Sequence, residues 1–186
     1  MHSDIIGPLP TPSYGGSRYV LTFIYDYSRF CWVYFLKLKS EVFKQLKVWK
    51  ALVHNQSGKK IKVLRTDNGK ECVNKNLQQL CEECGIQMKH STPYTPQQNG
   101  VVERKNRSLK EMETCMIEVR EINPKIWDKS ISCAAHIQNI AFHKLVKGIA
   151  PYEAWFGEKT DVSNFRIFGT KAWEIIPSEK RKALHP

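Results

Sequence analysis

Three carboxylates stand out by their surroundings. Asp4 sits in His2-Ser3-Asp4-Ile5-Ile6-Gly7-Pro8. Asp67 closes the apolar run at residues 61–66 and is followed by Asn68-Gly69. Glu103 opens the basic stretch Glu103-Arg104-Lys105-Asn106-Arg107, and thirty-five residues lie between it and Asp67. Carboxylate oxygens suit hard divalent cations such as Mg²⁺. Two such ions, roughly 3.5–4 Å apart, can serve the attacking and leaving oxygens of an in-line displacement at phosphorus. Three carboxylates offset most of that charge and leave the site attractive to phosphate. Taken singly, an Asp-Asn-Gly is usually a turn, and a distant Glu means nothing; order and surroundings give the set its weight.

Charge points the same way. The chain has 29 Lys and Arg against 18 Asp and Glu, a net charge of +11, which favours polyanions. Residues three, four and seven along a helix from Glu103 are Asn106, Arg107 and Lys110, and these share its face. They are expected to meet nucleic-acid phosphates or strand ends. No stretch approaches the roughly 18 apolar residues of a membrane span, and the first residues lack the pattern of a signal peptide. Six Cys without a secretory signal read as reduced thiols inside a cell. Cys81 and Cys84 have CxxC spacing, but no second Cys or His pair follows at a zinc-like interval, so helix-borne thiols are expected. The absence of GxSxG and phosphate-loop motifs argues against ester hydrolases and nucleoside triphosphatases.

The elements that must carry these groups are legible. Residues 2–7, 19–25, 30–36, 61–66 and 86–90 read as strands, the second and third joined as a hairpin. Ser40 is placed to cap a helix running to about Asn55 and ended by Gly58. A second helix spans residues 76–84, closed by Gly85. From Gly100 the pattern turns helical to about Arg120, with a stripe of Val102, Leu109, Met112, Met116 and Val119. Asn123-Pro124 opens a helix to about His143. Residues 152–156 form a short helical turn, and residues 166–176 read as extended. The five Trp are expected to pack in the core. This is an α/β chain with five strands, flanking helices and a helical C-terminal half.

The phrases Gly15-Gly16-Ser17-Arg18-Tyr19, Asp26-Tyr27-Ser28-Arg29, Pro93-Tyr94-Thr95-Pro96-Gln97-Gln98-Asn99-Gly100, Pro151-Tyr152-Glu153-Ala154-Trp155 and Phe165-Arg166-Ile167-Phe168-Gly169 accompany the three carboxylates. Together they resemble the integrase catalytic core of copia-type retrotransposons, most of all those of plants, within the ribonuclease-H-like superfamily. The match covers nearly the whole chain. Gly69-Lys70-Glu71-Cys72 departs from the usual Gly-Gly-Glu-aromatic run.

The resemblance implies a ribonuclease-H-like fold with a mixed five-stranded sheet. It also implies a catalytic core at residues 1–160, its first strand shortened at the N-terminus, and the start of a C-terminal extension at 161–186. Asp4, Asp67 and Glu103 become the catalytic and metal-binding set for two Mg²⁺ or Mn²⁺ ions, with Asp4 bridging them. Tyr94, Gln97 and Asn99 fall in the family's active-site loop and are implied to hold DNA, although Asn99 also reads as a plain helix cap. The implied reactions are 3′-end processing and strand transfer, with element ends and target DNA as partners and a homo-oligomer as the active form. A cytoplasmic particle and then the nucleus are the implied locations. A non-catalytic nucleic-acid-binding remnant and a generic nuclease of the same fold share many of these residues.

Overall fold

The computed structural model describes residues 1–66, 75–90, 100–146, 148–173 and 175. Its centre is a five-stranded mixed sheet in the order β3-β2-β1-β4-β5. The strands are β1 (His2–Ile6), β2 (Tyr19–Ile24), β3 (Cys31–Leu36), β4 (Val63–Thr66) and β5 (Gln87–His90). β1, β2 and β3 pair antiparallel, whereas β1–β4 and β4–β5 are parallel. The helices are α1 (Val42–Ser57), α2 (Lys75–Glu83), α3 (Gly100–Val119), α4 (Trp127–Ile140) and α5 (Pro151–Phe156).

Alternation along the strands divides the core in two. From β2, Leu21 and Phe23 enter a cluster with Leu46, Trp49, Val53, Leu77 and Leu80 of α1 and α2. Val20 and Ile24 face the other way, toward α3 and α4. Trp49 is fully buried and stacks on Phe23 with ring centroids 3.9 Å apart. Trp155 of α5 meets Trp32 edge-on at 5.0 Å, so α5 closes the end of that layer. The same alternation applies to β1. Ile5 packs toward the α1 layer and Ile6 toward the α4 layer, which puts Asp4 on the side of α3.

A glycine after β1 and a buried carboxamide beside β3 fix these two strands. β1 ends at Gly7, with φ of +122° and space for no side chain: a Cβ there would lie 2.6 Å from the Arg18 carbonyl oxygen. Only glycine suits that backbone. At the edge strand, Asn139 of α4 accepts from the Cys31 N–H (2.9 Å) and donates to the Cys31 carbonyl (2.8 Å). One buried carboxamide thus satisfies both backbone groups of a residue on an edge strand.

Several expectations are corrected. Ser40 lies inside a 3₁₀ turn, Lys39–Glu41, and does not cap α1; Glu41 instead accepts from the Lys37 and Leu38 N–H groups. The buried stripe of α3 runs through Val102, Asn106, Leu109, Glu113 and Ile117, while Val119 is exposed. Steps of four and three that stay on the sheet lead to Ile117, and position 119 turns outward. Asn123 does cap, accepting from the Lys125 N–H, but it opens a 3₁₀ turn leading into α4. That helix ends at Ile140 rather than near His143. Among the described residues, 166–175 form no strand; their backbone bonds close local turns, such as Thr170 N–H to Ile167 O. Trp173 is exposed rather than packed.

Candidate active site

Asp4 is held from both sides. Its Oδ1 accepts the Ile5 N–H at 2.8 Å, and its Oδ2 accepts the Asn106 carboxamide Nδ2 at 2.7 Å. Thr22 of β2 donates to the Asp4 carbonyl at 3.3 Å. The Asn106 contact fastens α3 to the central strand. Because Asn106 follows Glu103 by three residues, Glu103 stands within about one helical turn of the group touching Asp4. β1 and β4 run parallel with His2 beside Arg65, so the C-terminal end of β4 at Thr66 lies alongside the Asp4 segment. Asp67, which follows Thr66, lies outside the described residues, as do Tyr94, Gln97 and Asn99.

The three helix residues expected on the Glu103 face differ in placement. Arg107 is exposed, as is Glu103. Lys110 is half-buried and pairs with Glu113 Oε2 at 3.4 Å. Asn106 is turned inward: it is buried, donates to Asp4, and leaves its own Oδ1 buried with no donor among the described residues. A residue expected to touch nucleic acid therefore positions a carboxylate. The signal was available in the sequence, because Asn106 lies four residues from Val102 and three from Leu109, on the buried stripe itself.

A second polar group, His2, stands two residues before Asp4 on the same strand. His2 is buried, with Nε2 3.2 Å from Asp26 Oδ1, a charge contact not aligned as a hydrogen bond. Arg29 approaches the same carboxylate oxygen at 2.9 Å. Burial lowers the His2 pKa below its ordinary value, against the pull of Asp26. Burial would raise that of Asp26, yet Arg29 and His2 together bring it below the usual carboxylate value.

The donor chemistry suits a hard cation. Asp4 and Glu103 offer only oxygen, and a carboxylate accepts at about four positions, so two N–H donors are compatible with a cation on the same group. Among the described residues no three His, Cys, Asp or Glu side chains gather closely enough to hold a metal ion; the expected third ligand, Asp67, lies outside them. Among those residues, too, no helix is long and apolar enough to cross a membrane.

With that geometry in place, likeness to known proteins decides the family. The integrase core domain matches residues 1–96. The chain belongs to the integrase core family. Over 184 residues this integrase core is 34% identical to the retrovirus-related Pol polyprotein from transposon TNT 1-94 of Nicotiana tabacum, covering 99% of the chain and 14% of that relative. It is 31% identical, over the same share of the chain, to the Pol polyprotein from transposon RE2 of Arabidopsis thaliana, covering 12% of that relative. The integrase core thus spans less than a sixth of the polyproteins it matches, and its likeness is to the copia-type elements of plants. Among solved structures, a simian T-cell lymphotropic virus intasome in complex with PP2A regulatory subunit B56 gamma superposes with a TM-score of 0.63. At 18% identity it covers 95% of this chain and 59% of that one. That likeness shows the fold, which is ribonuclease-H-like.

Proposed function

We propose that this chain is the catalytic core of a retrotransposon integrase and that it cuts and joins DNA strands. The observation that carries the reading is the 2.7 Å bond from Asn106 to Asp4, which ties the Glu103 helix to the strand bearing the first carboxylate. The proposed ligand set for two divalent ions is Asp4, Asp67 and Glu103; when bound, the ions would supply electrostatic stabilisation of charge at the reacting phosphate. Asp4 is pre-oriented by the Ile5 N–H and the Asn106 carboxamide, so little reorganisation is left for the moment of reaction. In end processing, water attacks a phosphorus near the element end, the bond to the 3′-oxygen breaks, and the element keeps a 3′-hydroxyl while the released piece carries the phosphate. In strand transfer, a 3′-hydroxyl oxygen attacks a target phosphorus, the bond to the target's 3′-oxygen breaks, and the proton lost to solvent by the attacking hydroxyl is matched by one taken up at the leaving oxygen. One phosphodiester is exchanged for another, so no external energy source is needed. Arg107, Lys110, Tyr94, Gln97 and Asn99 are the proposed DNA contacts. A homo-oligomer on two DNA ends is the proposed active form, and the nucleus its place of action.

The test is disintegration of a branched DNA substrate with Mg²⁺ or Mn²⁺, the reversal of strand transfer. The native chain should resolve the branch only with metal, and Glu103→Gln should not. A folded chain that binds the substrate but never resolves it would overturn the reading in favour of a non-catalytic nucleic-acid-binding domain. Hydrolysis without joining would instead identify a nuclease.

A further inference from the structure

On the flank of α3 away from Glu103, a cavity of about 370 Å³ opens between that helix, the turn joining β2 to β3 and the chain leaving α4. Arg29, Arg104, Lys105 and His143 line it together with Gln138 and Phe142, and among the described residues no Asp or Glu does. Helix geometry separates it from the Asp4 side. At about 100° per residue, Arg107 and Lys110 fall within about 40° of Glu103, whereas Lys105 lies about 160° away. The buried stripe of α3 lies between these two flanks.

The cations of this cavity are poorly matched within the protein. Arg104 and Lys105 have no carboxylate within ion-pairing reach among the described residues, and Arg29 has only Asp26. Arg29 Nε is buried without an acceptor. The turn holds Arg29 in the left-handed region, φ +61°, which bulky residues rarely adopt. Burial lowers the His143 pKa, and Lys105 and Arg29 lower it further, as a cavity of like charge requires. At the rim, Phe142 is 80% exposed, a large aromatic face beside a basic hollow.

We propose that this cavity is a phosphate subsite for a single nucleic-acid strand, with Arg29, Arg104 and Lys105 around the phosphate and Phe142 beneath an adjoining base. Guanidinium forks match phosphate oxygens two at a time, and an exposed aromatic ring beside cations is the stacking platform of single-strand binders. A strand engaged here lies on the opposite flank of α3 from the proposed chemistry, so the helix would separate two strands or two stretches of one. The proposal rests on the nucleic-acid reading of the chain but not on its catalysis.

The whole chain, labelled with ¹⁵N, is titrated with inorganic phosphate and, separately, with a short single-stranded oligonucleotide. Amide shifts at Arg29, Lys105, Phe142 and His143 report this flank apart from the Glu103 side. Both ligands should move these signals, the oligonucleotide at lower concentration. Lys105→Met, which keeps the apolar stem, and Arg104→Met, on an exposed position, should each weaken oligonucleotide binding here about tenfold. Phe142→Ala should weaken the oligonucleotide and spare phosphate. Thermal melts show whether each variant is folded. No shift with either ligand, equal affinity for both, or undiminished binding by folded Lys105→Met and Arg104→Met would overturn the proposal. Glu103→Gln should leave these titrations unchanged, so a chain inert in disintegration can still bear this site out, and an active one can still refute it.

Discussion

Asn106 shows how much one carboxamide decides. Its Nδ2 holds Asp4 at 2.7 Å, and the residue itself is buried. Asn106→Ala should lower disintegration turnover by about tenfold, equivalent to about 1.4 kcal/mol, while DNA affinity stays within about twofold of native. A parallel loss of DNA affinity would mean that Asn106 contacts the substrate instead. Stability should also fall by about 1–3 kcal/mol, the range for a severed buried hydrogen bond. The thiols give an independent check on placement. The Cys31 thiol is buried and pushed up to about 11, whereas Cys115 is exposed. Since the thiolate is the nucleophile, a maleimide reagent should modify Cys115 in the native chain and reach Cys31 only after unfolding. Peptide mapping of the labelled protein reads this directly.

Among the elements, the buried faces are specified by bulk and the junctions by single polar groups. Trp49→Ala would leave a large void against Phe23 and should cost about 3–5 kcal/mol. Asn139→Ala should cost less, about 1–3 kcal/mol, and it should show first as faster amide exchange in β3. Protection in β3 equal to native would mean that the clamp is dispensable. This division explains what could be read in advance. All five strands and the helix bearing Glu103 were legible, because period-two and period-3.6 patterns report which face is buried. Asp4 and Glu103 could be placed on a strand and a helix for the same reason. The Asn139 clamp and the Asp4–Asn106 bond were not legible, because each joins residues more than 100 positions apart and no local pattern encodes a partner at that range. The tail at residues 166–175 misled for a related reason. Its Phe, Ile and Trp have strand propensity, but propensity yields a strand only where a sheet edge is within reach.

For the molecule as a whole, charge and protonation make separate predictions. His2 and His143 both take up protons less readily in the fold than the ordinary value of 6.5, chiefly because of burial. As pH falls below 6.5 the unfolded chain binds protons that the native chain refuses, so stability declines with acidification through that window. The Met1 amino group, lowered from 8.0 mainly by burial, adds the same sign at higher pH. Melting temperature should therefore drop on going from about pH 7.5 to about pH 5, and His2→Gln should flatten part of that slope, leaving the share of His143. An unchanged slope would show that His2 protonates freely in the native state. With a net charge of +11, DNA affinity should fall steeply with salt, and Lys110→Ala should reduce the logarithmic salt slope by about 1. An equal slope would show that Lys110 is committed to Glu113.

The placement of β1 between β2 and β4 also sets an order of assembly. β1, β2 and β3 can join through short connections, but β1 cannot meet β4 until some sixty residues have been looped out, and closing longer loops costs more entropy. The Asp4–Asn106 bond spans 102 positions, so it forms only after the sheet has a face for α3 to land on. Contacts this distant in sequence slow folding and come late. The antiparallel strands should gain exchange protection early in refolding, and the Asp4 amide environment should mature with α3. A partly folded chain would then display much of its sheet while Asp4 and Asn106 remain apart.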